Sequence, residues 1–205
     1  MGTRSRPSLW VTAVVLESGL VGLAYLLGWF FASMPKWCLV PCTQLLDHVR
    51  SAAWGVLATM PLLGGFFVLE RSKWKPLVEV RTIVVEVTRR LCAGRPWWQI
   101  ALLAIAAGIG EELLFRGWLQ CMLVGWLGET FWGTAAAVVT TGLVFGMFHA
   151  VTRLYFVLAA LVGMYLGALF VGAGQLLAPV TAHALYDFVA LMWLSREAVC
   201  ERNDP

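Results

Sequence analysis

A chain of 205 residues that is 60% hydrophobic and 13% charged, with a mean hydropathy of +0.78, does not have the composition of a water-soluble domain. Its 11 Trp and 11 Phe fit a membrane protein, with the Trp residues near span ends read as interfacial anchors. The net charge of +3 follows from membrane topology, because no folded soluble face exists to display it as a nucleic-acid footprint.

Apolar runs long enough to cross a hydrocarbon layer recur along the chain and predict an all-α, polytopic helical bundle. Six spans are expected, over residues 8–33, 51–69, 97–127, 131–150, 154–173 and 178–196. The first is too long for a cleavable signal peptide and is read as a retained helix. Its Glu17, near Ser18 and Gly19, reads as a helix–helix hydrogen-bonding group, with a place in a polar cavity as the other reading. Breaks are marked by Pro35 and Pro41, the charged segment 70–96, Gly128 to Thr130, Arg153, and Gly172 to Pro179. Placing the N-terminus inside puts 12 of the 15 Lys and Arg on the inner side and leaves only Lys36 and Arg50 in outer loops. Both termini are therefore expected inside.

Between the second and third spans, Leu77, Val80, Val84, Val87 and Leu91 recur at helical spacing with Glu79, Glu86, Arg89 and Arg90 among them. An amphipathic helix along the inner surface is one reading; a β-rich or irregular linker, given the run of β-branched residues, is the other. Three segments result: 1–96 with two spans and the basic surface stretch, 97–198 as the helical core, and 199–205 as a short polar tail. Cys38 and Cys42 could form a disulfide if their loop faces an oxidising compartment. Gly163, Gly167 and Gly172 read as close-packing sites. No internal repeat is evident.

The third span carries Glu111, Glu112 and Arg116 within six residues. A charged side chain at mid-bilayer costs roughly 2.5–3.5 kcal/mol, so this trio must face a protein interior. Glu112 and Arg116, four residues apart, share a helix face and can pair. Glu111 lies about 100° around the helix, with no partner in its own segment. The other intramembrane polar groups are His149, with Phe145 four residues before it, and His183, with Asp187 four residues after it. Together these imply one polar chamber built from three spans. At 1.5 Å per residue, Glu112 and His149 fall at similar depths, about 24 and 27 Å from the outer turn. His183 lies only about 6 Å along a helix starting at Pro179, so the stretch before it must dip into the protein or the helices must tilt.

The order Glu111-Glu112-x-x-x-Arg116, Phe145-x-x-x-His149, His183-x-x-x-Asp187 resembles the three motifs of the CPBP (CAAX protease and bacteriocin-processing) intramembrane endopeptidases, over roughly residues 97–195. The resemblance implies a helical membrane fold with catalytic groups around a cavity open toward the inner side. It also implies cleavage of membrane-associated proteins or peptides, in well-known members the last three residues of prenylated CAAX proteins. Glu111, Glu112, Arg116, His149, His183 and Asp187 then match catalytic positions, and Phe145 a position read here as substrate-contacting. Where eukaryotic CAAX enzymes have Asn, this chain has Asp187, and an ionised Asp cannot donate to an oxyanion as an amide can. Other members act in bacteriocin self-immunity or as scaffolds without proteolysis, which is the alternative reading here.

Side-chain chemistry leads to the same residues. Amide hydrolysis needs a water nucleophile, a base, an oxyanion donor and a proton for the leaving amine. Glu111 is the better candidate base, since Glu112 is neutralised by Arg116; His149 and His183 could stabilise the oxyanion or protonate the amine. Alternatively Glu111, His149, His183 and Asp187 could ligate Zn²⁺, which would lower the pKa of its bound water to about 7 and make the enzyme a metalloprotease. No cofactor is required by the glutamate mechanism, and zinc is the one candidate by the other. Cys121 reads as a packing residue. The expected partners are the lipid bilayer, of the cell or another internal membrane, and a membrane-associated or prenylated substrate, with no nucleic acid.

Overall fold

The computed structural model describes residues 8–39 and 44–200. All named elements in them are helices: α1 (Leu9–Phe30), α2 (Leu45–Glu70), α3 (Lys75–Cys92), α4 (Trp97–Leu127), α5 (Phe131–Phe148), α6 (Arg153–Ala173) and α7 (Leu177–Cys200). Six of them, all but α3, are long and apolar enough to cross a membrane. The protein is an integral, multi-pass membrane protein. Large apolar side chains such as Val15, Leu16, Trp29, Leu57, Trp132 and Phe148 are exposed on its periphery, as lipid-facing groups should be. Cys42, and with it the Cys38–Cys42 pairing, lies outside the described residues, as do residues 201–205 of the tail.

Two boundaries differ from expectation for local reasons. Helix α2 starts at Leu45, six residues early, because Gln44 N–H donates to Asp47 Oδ2 (3.3 Å) and nucleates a polar first turn that hydropathy does not register. Helix α5 ends at Phe148, so His149 caps the helix rather than lying inside the 131–150 span expected for it. Its φ of −105° and an N–H bond to Gly146 O (3.1 Å) turn the chain out of the helix.

The segment 75–92 is helical, which removes the β-rich reading. Pro76 near its start supplies a fixed φ and lacks a donor that would be orphaned there. Glu86 bridges Arg89 and Arg90 on the exposed face (2.5 and 2.7 Å), and these two guanidinium groups hold its carboxyl below the usual range. Burial pushes the Cys92 thiol up to about 11, which suits a packing residue and not a nucleophile.

Helix α4 is the centre of the bundle: 67% of its most apolar window is buried, against 11% for α1. Small residues let its neighbours approach. A Cβ at Gly110 would come within 2.2 Å of Glu17 O in α1, and one at Gly108 within 3.0 Å of Ala184 Cβ in α7. Helices α5 and α6 meet through Gly142 and Gly163, a Cβ on Gly163 falling 3.0 Å from Gly142 Cα. Gly163 and Gly167 thus pack as expected, whereas nothing lies within 4 Å of a Cβ at Gly172, which is not a packing site.

From Leu113 to Gln120, α4 opens into a π-helix. The backbone here meets the segment between α1 and α2, with Lys36 N–H donating to Gly117 O (2.9 Å). That segment continues to an antiparallel bridge between Cys38 and Gln175, flanked by Leu39 N–H to Gly174 O and Leu176 N–H to Trp37 O, both 2.8 Å. The turn before α7 is therefore held inside the protein, with Leu176 and Ala178 fully buried. This inward dip carries the start of α7 to the level where His183 can reach α4, as the register required.

Candidate functional site

Glu112 and Arg116 are both 0% exposed. Arg116 Nη1 donates to Glu112 Oε1 at 2.9 Å, so the expected pairing forms. Its Nη2 donates to Gly163 O in α6 at 2.8 Å, and its guanidinium lies over the Phe145 ring at 4.6 Å. One turn on, Gln120 Nε2 donates to Gly167 O (3.2 Å). The residues Arg116 and Gln120 of α4 thus read two carbonyls, also four residues apart, that glycines leave bare. That common spacing of four was the available signal for this contact, and the sequence reading missed it.

The same Glu112 Oε1 lies 2.8 Å from His183 Nδ1. A carboxylate held by Arg116 accepts, so Nδ1 donates and the ring is fixed with Nε2 pointing away. His149 is fixed in the same sense by another group. Its Nδ1 is 2.9 Å from Phe145 O, a carbonyl that can only accept, and its ring stacks on Phe145 with centroids 4.4 Å apart. Because the His149 amide bonds to Gly146 O instead, the Phe145 carbonyl is available to the ring.

Both Nε2 atoms consequently face Glu111. His149 Nε2 stands 3.8 Å from Glu111 Oε1, and His183 Nε2 stands 4.0 Å from Glu111 Oε2. His183 Nε2 is also 3.4 Å from Asp187 Oδ2. The two separations from Glu111 are too long for direct hydrogen bonds and short enough for one small bridging group. Glu111 is 8% exposed, and its Oε2 is buried without a hydrogen-bond partner. The structure brings together Glu111, Glu112, Arg116, His149, His183 and Asp187. Phe145, 3% exposed, sits beneath them as a stacking platform as well as lining the cavity. Among the described residues, no set of three or more His, Cys, Asp or Glu side chains is disposed to hold a metal ion, so no step below is routed through one.

The cluster opens into a cavity of about 500 Å³. Its far walls are apolar: Leu62, Phe66 and Leu69 from α2, and Leu77, Val80, Val84, Val87 and Leu91 from α3. The apolar stripe of α3, legible as a stripe, turns out to wall a cavity rather than only to lie on a surface. Glu17 differs from its expected role as a helix–helix hydrogen-bonding group. Its Oε2 is buried with no hydrogen-bond partner, and the side chain lies within the electrostatic reach of Asp187 and His183. The close α1–α4 crossing at Gly110 brings the Glu17 backbone against the residue before Glu111, and the two carboxyl groups act on each other. Cys121 packs in the core as expected, its thiol 3.4 Å from Arg116 O.

The model of the type II CAAX prenyl endopeptidase Rce1-like family matches residues 93–189. Over these residues the chain is similar to that CAAX protease family. The matched stretch runs from just after α3 into α7 and contains all six clustered side chains, whereas α1, α2 and α3 precede it. No curated protein and no solved structure matches the chain.

Proposed function

We propose that the protein is an intramembrane endopeptidase that cleaves membrane-associated, CAAX-type peptides near the cytosolic membrane face, with Glu111 as the base that activates water. The observation that supports this most directly is the placement of the Glu111 carboxylate 3.8 and 4.0 Å from two Nε2 atoms at the end of an apolar cavity. A water bonded to Glu111 and one imidazole would satisfy the unpartnered Oε2 and stand ready to attack.

In the proposed step, Glu111 takes one proton from that water as its oxygen bonds to the scissile carbonyl carbon. The carbonyl π pair moves to oxygen as an oxyanion. On collapse the C–N bond breaks, and the departing amine takes the proton from Glu111, leaving carboxylate base and two peptide fragments. Glu112 is already engaged by Arg116 and His183, so its role is to orient His183. Asp187 sets the other side of that ring, and Arg116 holds Glu112 in place. The apolar walls of α2 and α3 suit a lipidated or otherwise apolar segment next to the scissile bond.

The test is reconstitution of the purified protein in proteoliposomes with prenylated CAAX peptides and a panel of membrane-anchored peptides. Glu111→Ala should lower cleavage by about 10³-fold or more while membrane insertion and thermal unfolding stay unchanged. Activity that survives both Glu111→Ala and His149→Ala would sink the protease reading in favour of a scaffold on this fold. A chelator arm separates the mechanisms: loss with the variant alone supports water activation by glutamate, and loss with both supports a metal-held water.

A further inference from the structure

If Glu111 is the base, the site still lacks a partner for the oxyanion. Around the gap, Glu111 and Asp187 supply carboxylate oxygens, and both imidazoles have committed their Nδ1 protons, His149 to Phe145 O and His183 to Glu112. In the resulting tautomers both Nε2 atoms are acceptors. A second proton on His183 would go to Asp187, 3.4 Å from its Nε2. The reaction space is thus ringed by acceptors, and an oxyanion forming there needs a donor from elsewhere.

Tyr155 meets that need. It lines the same cavity as Glu111, His149, His183 and Asp187, on the first turn of α6. Its backbone N–H is tied to the N-cap Thr152 Oγ1 at 3.0 Å, which fixes where the side chain leaves the helix. Its hydroxyl makes no hydrogen bond among the described residues, so that donor is uncommitted. Asp187 and Glu111 are the charged groups that act on it. Tyr186, the other cavity tyrosine, sits edge-on against Phe66 of α2 and interacts with Asp187 and Tyr155. Arg81, the one arginine in the cavity wall, is engaged by Glu70, whose backbone carbonyl it contacts at 2.6 Å.

We infer that Tyr155 is a catalytic residue whose phenolic O–H donates a hydrogen bond to the substrate carbonyl oxygen as it becomes an oxyanion. The proton stays on Tyr155 throughout, so the step adds no group to the balance already given. This assignment rests on the peptidase reading, and it supplies the donor that Asp187, as a carboxylate, does not.

The experiment measures kcat and KM for a prenylated CAAX peptide in proteoliposomes with the wild type, Glu111→Gln, Tyr155→Phe and Tyr186→Phe. Phe keeps the ring and its packing, so Tyr155→Phe should unfold at the wild-type temperature. Its kcat should fall roughly a hundredfold with KM nearly constant, the signature of a bond made only in the transition state. Binding of a peptide phosphonate that mimics the tetrahedral oxyanion should weaken by a similar factor, while binding of the uncleaved peptide should not. A wild type that does not cleave overturns the peptidase reading and this assignment with it. Wild-type cleavage lost in Glu111→Gln but unchanged in Tyr155→Phe overturns this assignment alone. The same holds if Tyr186→Phe carries the loss instead.

Discussion

Helices α4 to α7 and the three helices before them contribute different things to one cavity. The later helices bring every charged or imidazole group of the cluster, and hydrogen bonds hold Glu112, Arg116, His149 and His183 among them. The earlier ones bring mostly shape, in the apolar walls of α2 and α3, together with the paired Glu70 and Arg81 and the nearby carboxylate of Glu17. The family match covers 93–189 and so coincides with the chemical half. The contrast teaches that the charged cluster is built into tightly crossed helices, while the apolar wall of the cavity comes largely from helices that precede the family match.

The contrast can be broken hardest at Arg116. Arg116→Met leaves Glu112 fully buried without its counter-charge, which should cost about 3–5 kcal/mol of stability and abolish activity, read by thermal unfolding in detergent and by cleavage. A variant as stable as the wild type would show that the chemical half does not depend on that pair. A more selective change is Val84→Trp, which fills part of the wall from α3. It should raise KM for an apolar substrate by about tenfold with kcat kept, since it alters shape and not the reacting groups. A fall in kcat at constant KM would erase the division between the two regions. The smallest effect is expected at Glu86→Gln, on the exposed face of α3, where the loss of two surface ion pairs should leave unfolding temperature and turnover unchanged within error.

How much of this was readable from residues depended on what each residue costs in a membrane. Glu111, Glu112, Arg116, His149 and His183 stood out because such groups are expensive in hydrocarbon unless they meet, and they do meet. The spans were legible for the same reason, from apolar length alone. The π-helical turn from Leu113 to Gln120 left no such trace, since its opening goes with contacts from Lys36, Gly163 and Gly167 far away in sequence. Likewise the stripe on α3 could be seen as apolar, but which surface it covered was decided by the packing of α2, α6 and α7 around it. His149 was placed within a span because hydropathy cannot see a helix end whose cap is a backbone-to-ring exchange at Phe145.

Each imidazole of the cluster is tethered through Nδ1, one to a backbone carbonyl and the other to an ion-paired carboxylate. Their torsional freedom is therefore surrendered once, when the bundle assembles, and not again at each encounter with an occupant. The cavity receives its guest with both rings already turned, so the entropy of alignment is charged to folding and the binding step is spared it.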